Sequence, residues 1–315
     1  MRYEVVAAGE CLFDVTSTEY ADELSPDLNY RARLGGSPCN LAMNLVSLGA
    51  KTALVACVGR EAFGRQAQRE LTDWGVGMDG FSQSERHATS LVLVSRSRST
   101  PDFEVYRAAD PHLSWSAFAS VFADTPRIFH TTCFALSRLP ARSHLLRAAE
   151  YCAQAGSQLS LDANYSAKVW ADRRRAQAVV RQFAVHGALI KLSADDVERL
   201  YGRQVRYGGV LAHELSDLLR AGALELVLTH GADGAEVWAR DGSVTRMKAS
   251  AVDVVDATGA GDSFWAGYLA AWLAGANTAA RLRTASRTAA IKLTLHGPLP
   301  PGSRARVFEG GADAA

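Results

Sequence analysis

The chain has 315 residues, and its 34 Lys and Arg residues against 33 Asp and Glu residues give a formal net charge of +1. This balance excludes the strongly basic surface typical of nucleic-acid-binding proteins, and the lack of any run of about 18 apolar residues excludes a membrane-spanning helix. The N-terminal MRYEVVAAGE lacks the apolar core of a signal peptide, and five scattered cysteines fit reduced thiols, so a cytoplasmic location is expected.

Apolar segments of strand length alternate with amphipathic segments of helix length along most of the chain. The predicted strands are EVVAAG (4–9), TALVACVG (52–59), RIFHTTC (127–133), SQLSLDAN (157–164), ALIKLS (188–193) and LELVLTHG (224–231). Two of the predicted helices, CNLAMNLVSLG and FGRQAQRELTDWG, end at Gly49 and Gly75. This alternation predicts an α/β fold, in which a parallel sheet is covered by helices on both faces.

Two segments interrupt the alternation and look like short strands joined by turns. LNYRARLGG (28–36) and SLVLVSRSRSTPDFEVYRAAD (90–110) alternate polar and apolar residues, as a sheet with one wet face does. They predict a small β-flap over the ends of the main sheet. The chain is therefore expected to form a single domain over residues 1–308, with lid segments at about 15–34 and 88–110 and a disordered tail at 309–315.

The stretch VVDATGAGDSF places a carboxylate where a glycine turn becomes a helix. Gly259, Ala260 and Gly261 leave their backbone N–H groups accessible to an anion, and the positive end of the helix dipole adds to the attraction. Asp262 at the edge of such an anion hole is placed to take a proton from a hydroxyl. The alternative is a plain helix N-cap, a position that Asp favours.

Two other phosphate-binding signatures are incomplete. GREAFGRQ (59–66) has the glycine spacing of a Walker A loop, but Arg65 and Gln66 stand where Lys and Ser or Thr are required. The dinucleotide pattern GxGxxG fails at Phe264, where its third glycine belongs. A P-loop enzyme and a nicotinamide-dependent dehydrogenase are both disfavoured.

A second set of polar residues has the chemistry to hold a sugar. Gly35 and Gly36 end a strand, and Asn40 lies in the first turn of the helix that follows. Upstream, Asp14 follows the first strand. An Asp and an Asn together can bind vicinal hydroxyls, since one accepts and the other both donates and accepts. Each alone is also compatible with a simple turn former.

The blocks GGSPCNLAMNLVSLGAKTALVACVGREAFGRQ and DATGAGDSFWAGYL, in this order, resemble the two signatures of the ribokinase-like carbohydrate kinase family, also called the PfkB family. The resemblance covers nearly the whole chain. It implies ATP-dependent phosphorylation of a sugar hydroxyl, with ATP and Mg²⁺ as cofactors. The implied fold is a three-layer α/β/α domain with a mostly parallel central sheet and a small β-sheet lid.

The resemblance also implies roles for individual residues. Asp262 is the implied catalytic base, with the backbone of Gly259, Ala260 and Gly261 as anion hole. The implied nucleotide-binding residues are Asn164, Lys191, Ser193, Thr229, Gly231, Gly234, Gly259 and Gly261. The implied sugar-binding residues are Asp14, Gly35, Gly36, Asn40, Arg107, Asp110 and Asp262. Asp196 is expected to hold Mg²⁺ through water, and Asp256 and Thr258 match positions that hold a monovalent cation such as K⁺ in some members.

Four positions depart from the family pattern. Ser193 and Asp196 replace a common Asn-x-x-Glu, and His230 stands in the nucleotide loop where an apolar residue is usual. Ser166 replaces an arginine of relatives that phosphorylate 2-keto-3-deoxygluconate, and a hydroxyl cannot grip a carboxylate as a guanidinium does. Together with Asp110, this favours a neutral sugar such as fructose.

Other functions remain compatible with the sequence. Within enzymes, the alternatives are a 2-keto-3-deoxygluconate-type kinase and a nucleoside kinase. Outside enzymes, a sugar or nucleotide sensor could use the same scaffold. No nucleic-acid or membrane partner is expected, and the lid sheet suggests a homodimer.

Overall fold

The computed structural model of the protein describes residues 1–97 and 102–308. Its strands are β1 Val5–Ala8, β2 Leu12–Tyr20, β3 Tyr30–Gly35, β4 Thr52–Gly59, β5 Phe81–Ser84, β6 Leu91–Arg96, β7 Phe103–Tyr106, β8 Ile128–Thr132, β9 Gln158–Asp162, β10 Leu189–Ser193, β11 Glu225–Thr229, β12 Ala235–Ala239 and β13 Val244–Met247. Its helices are α1 Ser37–Ser47, α2 Ala62–Trp74, α3 Trp115–Val121, α4 Ala141–Gln154, α5 Arg173–Val185, α6 Ala194–Tyr201, α7 His213–Ala221, α8 Ala260–Leu273, α9 Thr278–Leu293 and α10 Arg304–Phe308.

The larger sheet has its strands in the order β13-β12-β11-β10-β9-β8-β1-β4-β5. All neighbours from β11 to β5 pair in parallel, whereas β12 and β13 form an antiparallel extension at one edge. The central strands are continuous apolar runs because helices cover both faces of the sheet. The predicted α/β class is confirmed.

A hydrophobic core lies on each face of this sheet. In β1, Val5 and Ala7 point into the layer of α1, α2, α8, α9 and α10. Val6 and Ala8 point into the layer of α3 to α7. This alternation follows from the two-residue period of a strand, and it gives the three-layer α/β/α architecture.

The smaller sheet has the order β3-β2-β6-β7 and forms the lid. Strand β2 pairs antiparallel with β3 and parallel with β6, and β6 pairs antiparallel with β7. The lid is connected to the body by short links: only residues 9–11 separate β1 from β2, and only Gly36 separates β3 from α1.

Two features of this fold differ from the expectations. Asp14 lies within strand β2 of the lid rather than on a loop after the first strand. The lid therefore begins at Leu12, earlier than the expected residue 15. Residues 98–101 of the second lid segment and the tail 309–315 lie outside the described residues. Among the helices that the structure describes, none combines the length and the apolar character needed to cross a bilayer.

Candidate active site

A cleft of about 400 Å³ opens at the carboxyl ends of the parallel strands, beneath the lid. Asp162, Ser193 and Thr229 end the strands β9, β10 and β11, and all three line this cleft. Ligands of open α/β sheets bind in this position, because loops and helix N-termini converge there. The cleft brings together most of the predicted site residues.

Asp262 lies in the first turn of α8, but helix α1 orients its carboxylate. Ser37 Oγ donates to Oδ1 at 2.6 Å, and Asn40 Nδ2 donates to Oδ2 at 2.9 Å. The N-cap of α8 is Gly259, and it makes no side-chain capping bond. The plain N-cap interpretation of Asp262 is therefore wrong, because its oxygens accept from side chains of another helix.

The backbone before Asp262 has the glycine turn that the predicted anion cradle requires. Gly259 has a φ of 72°, a left-handed conformation that glycine adopts without steric cost. The N–H of Ala260 donates to the carbonyl of Ala257 at 3.1 Å. The next N–H groups of α8, from Gly261 and Asp262, belong to the first helical turn and have no carbonyl of the helix to donate to. They carry the positive end of the helix dipole toward the cleft.

Asp14 extends from strand β2 of the lid, and its side chain lines the cleft. Its side chain packs over Gly35 so closely that any side chain at Gly35 would collide with the carboxylate. Burial, together with the negative charges of Asp262 and Asp256, raises the pKa of Asp14 to about 7. Asp14 and Asn40 line the same cavity, as the sugar-binding hypothesis requires, and the apolar side chains of Leu12 and Val92 complete this end.

Lys191 and Asp162 form a buried ion pair on the floor of the cleft. The two residues are register neighbours on β10 and β9, and Nζ lies 2.7 Å from Oδ2. Burial alone would lower the pKa of Lys191, but the carboxylates of Asp162 and Asp196 raise it above its usual value. The ammonium also approaches the backbone of Gly261, since a Cβ built there would lie 3.4 Å from Nζ. A cation is thus held beside the anion hole.

Ser193 and Asp196 close a reciprocal capping box at the start of α6. Ser193 Oγ and N donate to Asp196 Oδ2 at 2.7 and 2.8 Å, and the N–H of Tyr165 donates to Oδ1 at 2.7 Å. Among the described residues no group of three metal-ligating side chains converges here. This donor set suits Mg²⁺, which keeps several waters and takes one or two carboxylates together with phosphates. Asp196 and Asp162 are the carboxylates available for that purpose.

The loop after β11 runs past the cleft with little side-chain bulk. Gly231 and Gly234 have φ values of 56° and 118°, and Thr229 lines the cavity. His230 turns away from the cleft to contact Glu236, with Nε2 3.1 Å from Oε2 and both side chains buried. The ring therefore has a local partner in the protein, as a tolerated loop substitution would. The backbone of this loop remains open to a nucleotide.

Asn164, Asp256 and Thr258 occupy the turns that flank the cleft. Asn164 has a φ of 27°, and its N–H donates to Asp162 Oδ1 at 3.3 Å. Asn tolerates this left-handed region better than most residues. Burial would raise the pKa of Asp256, but a 2.9 Å hydrogen bond from the N–H of Thr258 and the charge of Lys292 hold it below its usual value.

Arg107 and Asp110 do not line the cleft. They form a buried ion pair at the base of the lid, where Arg107 Nε donates to Asp110 Oδ2 at 2.7 Å and Arg107 Nη1 donates to Ser137 Oγ at 2.9 Å. Ser90 Oγ donates to the other carboxylate oxygen of Asp110 at 2.5 Å. In this structure the two residues connect the lid to the body, and their contact with a sugar stays a prediction.

Besides Asp162, the cleft contains two further residues whose polar contacts were not predicted, Ser37 and Glu10. Ser37 lies in the first turn of α1, and its hydroxyl donates to Asp262. Glu10 is buried at the link between β1 and β2, and it accepts from Thr132 Oγ1 at 2.9 Å and from the N–H of Ser37 at 3.3 Å. Burial raises its pKa to about 8. An acid directly after an apolar strand was the only local signal for Glu10.

Comparison with known proteins places this site in a family. The family model described as pfkB family carbohydrate kinase matches residues 2–304, and the chain therefore belongs to this family. The chain is 30% identical over 298 residues to a protein of Thermoanaerobacterium thermosaccharolyticum named ATP-dependent 6-phosphofructokinase, an alignment that covers 95% of this chain and 90% of that protein.

Two further comparisons point to fructokinases. The chain is 30% identical over 247 residues to the fructokinase of Escherichia coli, with 75% of each chain covered. The structure superposes on the fructokinase of Vibrio cholerae O395 in its fructose-, ADP- and calcium-bound form with a TM-score of 0.82. That superposition has 26% sequence identity and covers 98% of both chains. The ribokinase-like fold is thus confirmed, and the family is one of kinases that act on sugars.

Proposed function

We propose that this member of the pfkB family transfers the γ-phosphoryl group of ATP to a hydroxyl of a small neutral sugar, with fructose as the first candidate. The observation that carries the proposal is the position of Asp262. Its carboxylate is oriented by Ser37 and Asn40 beside the free N–H groups of α8. A base and an anion hole side by side are what transfer of a phosphoryl group to a hydroxyl requires.

In the proposed reaction the sugar lies between Asp14, Asn40 and the backbone of Gly35 and Gly36. Asp262 accepts the proton of the sugar hydroxyl as its oxygen forms a bond to the γ-phosphorus. The bond between that phosphorus and the bridging oxygen breaks, and the electron pair leaves with ADP. Catalysis comes mainly from positioning and from stabilisation of charge, because a loose transition state leaves little covalent chemistry to the protein.

The phosphates are proposed to lie against the backbone of Gly259, Ala260 and Gly261, with Lys191 alongside. The nucleotide would extend over Ser193, Asn164 and the loop of Thr229, Gly231 and Gly234. Bound Mg²⁺ would neutralise phosphate charge, and Asp196 with Asp162 would hold its waters. The buried ion pair of Lys191 and Asp162 places an ammonium group at this end of the cleft.

The charges around the sugar end of the cleft, which Asp14 lines, favour a neutral sugar. Asp14 would repel a substrate carboxylate, and the apolar walls of Leu12 and Val92 offer it no partner. Among the described residues that line the cleft, the cations are Lys191 and Arg199, of which Arg199 pairs with Asp195 at 3.5 Å. This arrangement disfavours a sugar acid of the 2-keto-3-deoxygluconate type.

A phosphorylated sugar is the second candidate, and Arg33 is the observation that favours it. Arg33 is the direct register neighbour of Asp14 across β2 and β3, so both side chains leave the same face of the lid. Its guanidinium contacts Asp256 at 3.4 Å, at the margin of the cleft. The relative named 6-phosphofructokinase makes this candidate worth a direct comparison.

The test is ADP release with fructose, fructose 6-phosphate, 2-keto-3-deoxygluconate and a nucleoside. The proposal expects the highest kcat/KM with fructose, and Arg33→Gln should leave that value nearly unchanged. A preference for fructose 6-phosphate that Arg33→Gln abolishes would establish the second candidate. ATP binding without turnover of any acceptor would instead indicate a sensor. A homodimer through the lid stays a prediction, for which sedimentation gives the answer.

A further inference from the structure

The ammonium group of Lys292 is buried next to the loop that leads into the anion hole. Lys292 lies in the last turn of α9 and is 1% exposed. Its Nζ donates to the carbonyl oxygen of Asp256 at 3.0 Å and to that of Leu295 at 3.3 Å. A buried charge is costly unless it is hydrogen-bonded or paired, so these two carbonyls are a built site for a cation.

The same helix end holds the loop in other ways. The N–H groups of Val255 and Asp256 donate to the carbonyl of Leu293 at 2.8 and 3.3 Å. The N–H of Thr258 donates to Asp256 Oδ1 at 2.9 Å. The residue after Thr258 is Gly259, the N-cap of α8. Lys292 is therefore connected to the turn at Gly259 through its hydrogen bond to Asp256 and the hydrogen bond between Asp256 and Thr258.

The surroundings of Nζ are those of a cation site. Carbonyls at a helix C-terminus carry partial negative charge, and main-chain carbonyls together with carboxylates are the oxygen ligands that hard cations take. Burial and the charge of Arg33 lower the pKa of Lys292, while the charges of Asp256 and Asp262 partly oppose this shift and favour its ammonium form. Lys292 already donates to the carbonyl of Asp256, one of the two residues at which a monovalent cation was expected.

We propose that Lys292 is a built-in cation that replaces a bound monovalent ion beneath the anion-hole loop, so that the protein needs no K⁺. It is a positioning residue: it touches neither sugar nor ATP, and it acts by holding Asp256 and, through it, the turn at Gly259. The part of this inference that concerns turnover rests on the proposed kinase function. The part that concerns cation binding does not.

The experiment compares the wild-type protein with Lys292→Met in potassium chloride and in tetramethylammonium chloride of equal ionic strength. The wild-type kcat should be the same in both salts. The variant should lose about 10²-fold in tetramethylammonium, because small displacements of catalytic groups cost that much. Potassium or ammonium ions, which can enter the vacated space, should restore part of the loss. Lys51→Met, at an exposed lysine, is the matched control.

Thermal unfolding without any sugar gives a second readout, which stands even if the proposed acceptor is wrong. Potassium should raise the Tm of Lys292→Met, and of the milder Lys292→Gln, but not that of the wild type. The inference is overturned if the wild-type rate or Tm depends on K⁺. It is equally overturned if both variants show the same rate and Tm in the two salts, whether they are folded or unfolded.

Discussion

The hydroxyl of Ser37 lies 2.6 Å from Oδ1 of Asp262, although the two residues are 225 positions apart in the chain. Helix α1 thereby sets the direction of a carboxylate that α8 carries. With Asn40 on the other oxygen, the carboxylate has one orientation relative to the anion hole. A general base held in this way loses little entropy when it accepts a proton.

Replacing Asp262 by Ala should lower kcat by about 10²- to 10⁴-fold, the usual contribution of a positioned base. ATP should still bind, because the anion hole is made of backbone. Steady-state ADP release and calorimetry with ATP measure the two quantities. Asp73→Ala, at an exposed position of α2, should behave as wild type. Near-full turnover in Asp262→Ala would show that another group takes the proton.

Sugar affinity should depend on pH through Asp14. Its carboxyl has a pKa of about 7 instead of 3.8, because it is buried and faces other acids. A carboxylate accepts hydrogen bonds from hydroxyls better than a protonated acid does, so the KM for sugar should rise as pH falls below about 7. Asp14→Asn should have a high KM that no longer changes with pH. If the variant keeps the wild-type pH profile, another group controls sugar binding.

Variants of the ion pair of Lys191 and Asp162 should change the unfolding free energy and the turnover rate independently. Lys191→Met leaves a buried carboxylate without its partner and should cost about 3–5 kcal/mol of unfolding free energy. The double variant Lys191→Met with Asp162→Leu should recover most of that stability. Turnover should remain low in both, because the ammonium beside Gly261 is missing. Urea unfolding and ADP release on the same samples test this, and recovery of turnover in the double variant would contradict it.

Unfolding free energy should fall as pH rises through the range in which Glu10 titrates. Burial raises the pKa of Glu10 from 4.5 to about 8, so between these values the native state keeps a proton that the unfolded chain has released. One such proton corresponds to a slope of about −1.4 kcal/mol per pH unit.

Glu10→Gln removes this titration while keeping the shape of the side chain. Its unfolding free energy, measured by urea denaturation from acid to mildly alkaline pH, should therefore be flatter than that of the wild type. Glu85→Gln, at an exposed carboxylate that pairs with Arg60, should leave the slope unchanged. Equal slopes in Glu10→Gln and the wild type would mean that other buried acids carry the effect.

The sheet could be predicted from sequence because its strands are buried on both sides. TALVACVG is an uninterrupted apolar run, and β4 spans the same residues, Thr52–Gly59. The lid was harder to predict, because only three residues separate β1 from β2 and Asp14 within β2 looked like a residue of a strand-end loop. Local patterns do not reveal where a chain leaves one sheet for another.

The parts of the site that the sequence missed depend on contacts between distant segments. No local pattern tells that Ser37 reaches Asp262, or that Arg107 folds onto Asp110 instead of reaching over the cleft. Lys292 likewise looks like an ordinary polar position of a helix, and only its contact with the carbonyl of Asp256 reveals a different role. The glycine turn before Asp262 was predictable because the conformation of such a turn depends on local sequence alone.

Gly36 is the single residue between lid strand β3 and the first turn of α1. It has a φ of 96°, and any side chain there would collide with the carbonyl of Glu10. The lid that carries Asp14 and the helix that orients Asp262 are consequently joined through this one residue. A lid taken from a relative to change the preferred sugar would therefore also need Gly36 and the first turn of α1, with Ser37 and Asn40.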